Sequence, residues 1–284
     1  MDMTVVRETI RAMRAADIDE AVELLLRHDF GDRRDFFRWA LTHSTIDPIV
    51  AEDDGRIVGT GCGAAYVGTG WIGAIFVVPE RRRTGLGRRI TRTVIDRLEA
   101  GGCRTQLLIA SPMGRPIYER EGFRVLGQQV RFTIDGPPAE DQSPEGRIRA
   151  YAPVDFAAVA DLDREATGED RRTVLAELVG SETTLVATDG DGSVRAYLAR
   201  TPWRGGALIA ADPDDAIRLL DHRRRAAGPD HRTGAGVLAS NTAGRERLRA
   251  AGWHEEIGHV RMIRGAPLGW RPEMILGYLN GAIG

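Results

Sequence analysis

The chain has 284 residues, of which 42% are hydrophobic and 28% are charged, a globular composition that excludes a chain disordered throughout. Its 39 basic and 41 acidic residues nearly cancel, overall and in each half, so neither half has the charge of a nucleic-acid-binding or anionic-membrane-binding domain. Every basic residue is arginine, and a sequence without lysine excludes a lysine Schiff base and a phosphate-loop lysine.

The sequence predicts a cytoplasmic protein with no membrane partner. Residues 1–4 lack the positive region and apolar run of a signal peptide, and the longest apolar run, 72–78, is too short to span a bilayer. Cys62 and Cys103 form no metal spacing and no disulfide framework. One bridge between them is formally possible, but reduced thiols are the simpler interpretation.

A segment rich in proline and acidic residues divides the chain near its middle. Residues 137–146 contain three prolines and no apolar period, which is typical of a linker. We therefore predict one domain over 1–136 and a second over 147–284.

The two predicted domains repeat the same features in the same order. The strings Ile-Arg-Ala at 10–12 and 148–150 are each followed five residues later by an aspartate. Hairpins with Asp/Gly turns come next, and each half has a late helix that ends at a glycine, Gly122 or Gly252. This order at a nearly constant offset indicates a duplicated domain.

Each half is predicted to run strand, helix, helix, three strands, helix, strand, helix, strand. The clearest elements are a buried strand over 72–78, an amphipathic helix over 88–100 and a strand over 106–109. A strand–helix–strand unit implies parallel or splayed neighbours in a mixed sheet. The predicted fold class is therefore α/β (or α+β), with a mixed, splayed sheet flanked by helices in each of two tandem domains.

The sharpest local signal lies at residues 77–89. An apolar strand ends there, a turn with Pro79 follows, and Arg-x-x-Gly-x-Gly opens a helix. Free N–H groups and the positive dipole end of a helix N-terminus bind phosphate, and Gly85 and Gly87 permit close approach of the backbone. The spacing fits neither a dinucleotide fingerprint nor a P-loop.

Arg82-x-x-Gly85-x-Gly87 after such a strand resembles the acetyl-CoA loop of the GCN5-related N-acetyltransferase (GNAT) family. The string Ile117-Tyr118-Glu119-Arg120-Glu121-Gly122-Phe123 resembles the Tyr–Gly–Phe segment of the same family, and the likeness covers roughly residues 8–133.

The resemblance implies a set of acetyl-CoA contacts. The pantetheine arm would pair with the strand backbone, the diphosphate would bind the loop amides and arginines, and an N–H near Val77 would polarise the thioester carbonyl. Tyr118 would protonate the departing thiolate. The family often has Asn before the last helix, and Ser111 stands there in this sequence. The cofactor-binding residues implied are Phe76, Val77, Val78, Arg82, Arg83, Thr84, Gly85, Leu86, Gly87, Arg88 and Ser111.

The second half retains the fold pattern without the cofactor loop. The cluster Asp212-Pro213-Asp214-Asp215 replaces the arginines and glycines, and Leu248 corresponds to Tyr118. This half therefore resembles the non-catalytic lobe of tandem acetyltransferases. Its Gly-Glu-Asp-Arg string suggests that Asp170 or Arg171 shapes the acceptor pocket, with a helix cap and a surface charge as the alternative.

The sequence does not identify the general base that would accept the proton of the amine. His28, Asp29, Asp32 and His43 lie in the paired-helix region that borders the acceptor site in the family, but residues of these types are more often simply surface residues. Asp29 and Asp32 are retained as candidate acceptor contacts. The remaining histidines show no paired ligand spacing, so no metal is predicted.

We therefore expect an acetyl-CoA-dependent N-acetyltransferase that acts on a primary amine of a small molecule or a peptide. Two alternatives stay open: a non-catalytic module that senses CoA species, and an acyltransferase that uses a longer acyl-CoA. The identity of the acceptor and the choice between monomer and homodimer are not readable from the sequence.

Overall fold

The computed structural model describes residues 8–138, 147–203 and 205–284, so most of the predicted linker lies outside the described residues. The chain forms two compact units that are not contiguous in sequence. The first runs up to Arg124 and includes Ile263–Ala266 and Gly281–Gly284; the second comprises Val125–Met262 and Pro267–Asn280. The predicted division into 1–136 and 147–284 stays a prediction about the duplicated sequence.

The first half has the predicted order of elements. They are β1 (Thr9–Ala12), α1 (Ile18–Arg27), α2 (Arg34–Ala40), β2 (Ile46–Asp53), β3 (Arg56–Ala65), β4 (Thr69–Val77), α3 (Leu86–Ala100), β5 (Thr105–Ala110), α4 (Arg115–Arg120) and β6 (Arg124–Asp135).

The second half repeats that order and adds one strand. Its elements are β7 (Ile148–Ala150), α5 (Phe156–Thr167), α6 (Arg172–Leu178), β8 (Thr184–Thr188), β9 (Val194–Ala199), β10 (Leu208–Ala210), α7 (Pro213–Ala227), β11 (Arg232–Leu238), α8 (Thr242–Ala250), β12 (His254–Gly265) and β13 (Ile275–Gly277). Among the described residues, β13 is the strand without a counterpart in the first half.

Both units contain helices packed on sheets, which confirms the predicted fold class. In the first unit the strand order is β1-β2-β3-β4-β5, antiparallel except for the parallel β4–β5 pair, with the last residues of β12 beyond β5. In the second unit β6 lies between β12 and β11, and a separate sheet has the order β13-β10-β9-β8-β7.

Glycines on β3 allow α3 to pack directly on the sheet. A Cβ on Gly59 or Gly61 would lie 2.8 or 2.7 Å from the Ile90 side chain. Ile90 is fully buried on the apolar face of α3. The small residues of 59–63 therefore serve close helix–sheet contact, as the sequence suggested.

The repeated Ile-Arg-Ala strings form the same ion pair in both units. Arg11 Nη1 lies 2.6 Å from Asp17 Oδ2, and Arg149 Nη1 lies 2.6 Å from Asp155 Oδ2. Each aspartate stands directly before the first helix of its half. The pair thereby ties the entry of that helix to the first strand.

Candidate functional site

Strand β4 bulges near its middle. Its register with β3 shifts between Thr60 and Cys62, where β4 uses one residue more than β3. Ala74, within the bulge, has a φ of +51°. The Thr60 hydroxyl donates a hydrogen bond of 2.7 Å to the Ala74 carbonyl. A bulge of this kind turns backbone groups out of the regular ladder and re-aims them.

The strands β4 and β5 separate beside this bulge. They pair in parallel from Thr69 opposite Thr105 to Ile72 opposite Leu108, and among the described residues no pairing between them continues past that point. The backbone of 73–77 consequently has an open edge on the β5 side. An extended ligand can add to such an edge through main-chain hydrogen bonds.

The open edge of β4 leads to the start of α3. A 3₁₀ turn over Pro79–Arg81 follows the strand, and left-handed residues then turn the chain into the helix, Arg83 with a φ of +65° and Gly85 with a φ of +92°. Gly85 is the N-cap, so no side chain covers the first amides of α3, and a Cβ there would meet nothing within 4 Å. These amides have no partner inside the helix and favour an anion.

The predicted loop residues differ in their freedom to bind a ligand. Arg88 Nε lies 2.6 Å from Glu121 Oε1, and Arg82 Nε donates to the Val77 carbonyl at 3.1 Å. The Thr84 hydroxyl donates to the Arg81 carbonyl. Arg83 is exposed, and its guanidinium makes no ion pair or hydrogen bond with any described residue. Arg83 is therefore the loop arginine best placed to bind an anion.

Tyr118 lies on α4 with its ring buried and its hydroxyl unpaired. The ring packs edge-on against Phe123 at 6.2 Å between centroids. Among the described residues the hydroxyl has no hydrogen-bond partner, and it is not sealed from solvent. Burial raises the pKa of Tyr118 to about 12. The phenol thus stays protonated at neutral pH and is available as a proton donor.

The start of α4 leaves room beside that phenol. A Cβ on Gly114 would come within 3.0 Å of the Tyr118 ring. The Ser111 hydroxyl accepts a hydrogen bond of 3.2 Å from the Gly114 amide, so at least one of its lone pairs is used within the loop.

The loop between α1 and α2 lies over the side chain of Phe76 on β4. The rings of His28 and Phe30 stand 5.6 and 5.4 Å from the Phe76 ring. His28 is half-buried and adjoins the bulged strand. His43, by contrast, is buried and bonded to Thr45, so it is not the surface residue that the alternative described.

The predicted acceptor contacts in this loop are exposed. Asp29 has a φ of +56°. Asp32 accepts a hydrogen bond of 2.8 Å from the Arg34 amide at the start of α2. Their part in binding an acceptor stays a prediction.

Two family profiles match the chain, one in each half. The profile of the acetyltransferase (GNAT) family matches residues 10–123, and that of an acetyltransferase (GNAT) domain matches residues 159–276. The chain belongs to the GNAT family. It is a tandem member, because the two matches lie one after the other and together cover most of its length.

Relatives of this tandem GNAT protein support the same assignment. The uncharacterised N-acetyltransferase YitH of Bacillus subtilis is 25% identical over 190 residues; the match spans 65% of this chain and 66% of YitH, just under two thirds of its length.

Solved structures share the fold along nearly the whole chain. A proposed acetyltransferase of Pyrococcus horikoshii has a TM-score of 0.83 at 22% identity, over 100% of this chain and 98% of its own. A GCN5-related N-acetyltransferase of Sphaerobacter thermophilus has a TM-score of 0.66 at 19% identity, over 93% and 99%. A tandem GNAT protein from the clavulanic acid biosynthesis pathway has a TM-score of 0.62 at 16% identity, over 92% and 99%.

In the second GNAT domain, the protein's own chain fills the corresponding cleft. Its fourth strand, β10, pairs antiparallel with β13, Leu208 opposite Gly277 and Ile209 opposite Ile275. Strand β13 also contacts β11, the counterpart of β5, and its central residue Leu276 is fully buried. The edge that is open on β4 is therefore occupied on β10. Sequence analysis missed this strand, because three residues are too few for a periodic pattern.

The helix that follows β10 has a closed N-terminus. The Asp212 side chain accepts a hydrogen bond of 2.9 Å from the Asp214 amide, and Pro213 is the first helical residue. Asp214 and Asp215 add negative charge to the same turn. A diphosphate would find a capped amide and carboxylates there, as the sequence predicted.

Asn241 occupies the place that Ser111 has in the first domain, and its side chain is fully engaged. It accepts from the Gly244 amide at 2.9 Å and donates to the carbonyls of Glu273 and Ile275 at 2.9 and 3.2 Å. The amide thereby holds the segment around β13 in the cleft. Leu248, at the place of Tyr118, is fully buried.

Arg171 is buried rather than exposed. Its Nε and Nη2 atoms lie 3.0 and 2.6 Å from the Asp163 carboxylate, which also accepts from the Tyr197 hydroxyl. The surface-charge alternative for Arg171 is therefore wrong. Asp170 accepts from the Arg172 amide at the start of α6, as a helix cap does. A role for either residue in acceptor binding stays a prediction.

Sequence reasoning missed the segment Gly281–Gly284, which belongs to the first unit. A Cβ on Gly73 of β4 would collide with Ala282 Cα, and the Tyr66 hydroxyl donates a hydrogen bond of 2.6 Å to the Ile283 carbonyl. This segment thus lies directly on β4 at the residue where the pairing with β5 ends. Its partners stand more than 200 positions away, so no local pattern could reveal the contact.

Across the described ranges, no group of three or more His, Cys, Asp or Glu side chains is placed to hold a metal ion. Within the same residues, none of the helices combines the length and the apolar character that crossing a bilayer requires.

Proposed function

We propose that the first GNAT domain transfers the acetyl group of acetyl-CoA to a primary amine of a small molecule or a peptide. The observation that carries this proposal is the presence of three features in one domain: the open edge of β4, the uncapped start of α3 and the unpaired phenol of Tyr118. Along acetyl-CoA the thioester is followed by the pantetheine arm and then by the diphosphate, and these three parts call for a proton donor, a strand edge and an anion site.

The residues present fit acetyl-CoA. The open edge around Phe76–Val78 would hold the amide groups of the pantetheine arm, and the amides from Leu86 to Arg88 would hold the diphosphate. The free guanidinium of Arg83 adds charge-assisted bonds to the same group. Acetyl-CoA, when bound, supplies the activated acetyl group.

The chain's own groups then move protons and stabilise charge. A backbone N–H near Val77 donates to the oxygen on which negative charge develops. Tyr118 donates its phenolic proton to the departing thiolate, a task for which a pKa of about 12 keeps it protonated. His28 accepts the proton of the attacking amine, because it is the titratable side chain that packs on Phe76 beside the bulge.

Three further points of this proposal are expectations from the sequence and the family. They are the acetyl group as donor, an amine as acceptor and a cytoplasmic location. Asp29, Asp32, Asp170 and Arg171 stay predicted acceptor contacts, and the assembly stays predicted as a monomer or a homodimer.

Calorimetric titration of the whole chain with acetyl-CoA tests the assignment of the cofactor site. We expect one site per chain, because β13 occupies the cleft of the second domain. Gly85→Ala forces a side chain on a φ of +92° and should weaken binding at least tenfold. Gly252→Ala is the matched control, since Gly252 has a φ of +81° and equally open surroundings outside the loop.

Each other outcome of the titration contradicts part of the proposal. Two sites per chain would mean that the second cleft is open to the ligand. Absence of binding would remove acetyl-CoA as donor. Binding without acetyl transfer to any amine would instead favour a module that senses CoA species.

A further inference from the structure

Arg33 is a half-buried cation without a counter-ion. It precedes α2 directly, at the end of the loop between α1 and α2. Its Nε atom is sealed from solvent and has no hydrogen-bond partner among the described residues. No carboxylate of the described residues forms an ion pair with it, whereas its neighbour Arg34 is paired with Asp19.

A half-buried guanidinium without a counter-ion costs free energy unless a ligand supplies the negative charge. A charge withdrawn from water without a partner loses hydration that nothing else replaces. Burial accordingly lowers the pKa of the Arg33 guanidinium. The Phe30 ring, 5.7 Å from Cζ, offers a cation–π contact, but an aromatic face does not satisfy the N–H donors at the edge of the guanidinium.

The same contacts place Arg33 beside the bulged strand. The Phe30 ring contacts both groups, 5.7 Å from Cζ of Arg33 and 5.4 Å from the Phe76 ring. Arg33 therefore lies on the same side of β4 as His28, the proposed base. An acceptor that presents its amine at the bulge would extend towards Arg33.

We propose that Arg33 binds an oxyanion, a carboxylate or a phosphate, carried by the acceptor amine several bonds from its nitrogen. This inference rests on the proposed function and adds the chemical class of the acceptor to it. The guanidinium provides a planar set of donors that matches such a group in two-point contact, which an ammonium cannot do. Specificity would follow, because an acceptor without the anion leaves this half-buried cation without a counter-ion.

Acetyl transfer to matched pairs of amines tests this inference. One arm compares 4-aminobutanoate, lysine and glycylglycine, each with its carboxamide; the other compares phosphoethanolamine with ethanolamine. We expect kcat/KM to be at least tenfold higher for the anionic member of a pair, which corresponds to a charge-assisted hydrogen bond. The arm in which the preference appears identifies the anion as carboxylate or phosphate.

Variants of the two neighbouring arginines connect the preference to Arg33. Arg33→Gln should bring the ratio of kcat/KM within each pair close to one, and Arg33→Lys should restore part of it. Arg34→Gln is the matched control and should keep the full preference. Equal rates within every pair of the unaltered protein, or a preference that survives Arg33→Gln, would overturn the inference.

Two measurements separate failure of this inference from failure of the proposed function. Acetyl-CoA affinity, measured on each variant, reports the cofactor site and the fold without reference to an acceptor. If no amine of the panel is acetylated, binding of glutarate and of inorganic phosphate to the acetyl-CoA-saturated protein decides the matter. Tighter binding of either probe to the unaltered protein than to Arg33→Gln supports the anion site, and equal or absent binding of both overturns it.

Discussion

The two GNAT domains differ most at the helix that follows their fourth strand. In the first domain α3 starts at a glycine, with no side chain over its first amides and arginines around it. In the second, α7 starts at Asp212, whose carboxylate caps the helix, with two more aspartates in the first turn. The start of α7 is capped by a side chain, whereas the start of α3 is not. Only the start of α3 leaves donors for an outside anion.

The fourth strands differ in the same way. Strand β4 has an edge that no described strand covers past Ile72, whereas β10 is paired with β13. An uncovered strand edge has backbone groups without a protein partner, and water, a ligand or another segment of the chain can satisfy them. The second domain therefore satisfies with its own chain the strand edge that the first domain leaves uncovered.

We expect the largest effect on activity from replacing Tyr118 of the first domain. Tyr118→Phe removes the proposed proton donor and should lower kcat by roughly 100-fold or more, while acetyl-CoA affinity stays nearly constant. Steady-state kinetics and calorimetry measure the two quantities. Tyr278→Phe is the matched control, because Tyr278 is a tyrosine of the second domain whose pKa burial also raises. Full activity of Tyr118→Phe would contradict the assignment of the acid.

The charge at the helix start should matter next. Arg83→Glu places a carboxylate beside the open amides of α3 and should weaken acetyl-CoA binding by about tenfold or more, with a smaller effect at high salt. The converse change in the second domain is Asp214→Arg, and calorimetry should still find one site. A second site in that variant would show that charge, and not β13, closes the second cleft.

The asparagine of the second domain should affect stability and not binding. Asn241→Ala removes the side-chain hydrogen bonds to two carbonyls and one amide and should lower the free energy of unfolding by about 2–4 kcal/mol. Ser111→Ala loses one weaker bond, worth about 0.5–1 kcal/mol. Urea unfolding measures both, and a weaker acetyl-CoA affinity in Asn241→Ala alone would reverse the comparison.

Periodicity and local motifs predicted the order of elements in both halves. The apolar face of α3, the Asp/Gly hairpins and the glycines that end α4 and α8 are all set by residues close in sequence. The Arg-x-x-Gly-x-Gly string likewise located the start of α3, because turn geometry and helix capping are local properties.

The parts that escaped prediction depend on contacts between distant residues. The bulge at Ala74 is fixed by the Thr60 hydroxyl of the neighbouring strand. The three residues of β13 are too few for a periodic signal, and they are held by Asn241 and by β10. The unpaired state of Arg33 results from which carboxylates the fold brings near it, and composition holds no information about that.

The ion pair between the first strand and the first helix should behave alike in both domains. Arg11–Asp17 and Arg149–Asp155 have equal distances of 2.6 Å, and the arginine hydrogen bond lowers the pKa of each aspartate. Because the folded-state pKa lies below the unfolded value, the stabilisation is present above about pH 4 and is lost as the pH falls through the folded-state pKa.

Asp17→Asn and Asp155→Asn should therefore each cost about 1 kcal/mol at neutral pH, a modest value because the arginines are partly solvated. Urea unfolding at descending pH should show the difference in unfolding free energy between each variant and the unaltered protein shrinking over the same pH range. Asp230→Asn is the control and should not change the free energy of unfolding, because Asp230 is exposed and has no ion pair among the described residues. Equal losses would mean that the duplicated ion pair has kept its contribution in both domains. A loss confined to one domain would mean that the two domains no longer depend on this ion pair alike.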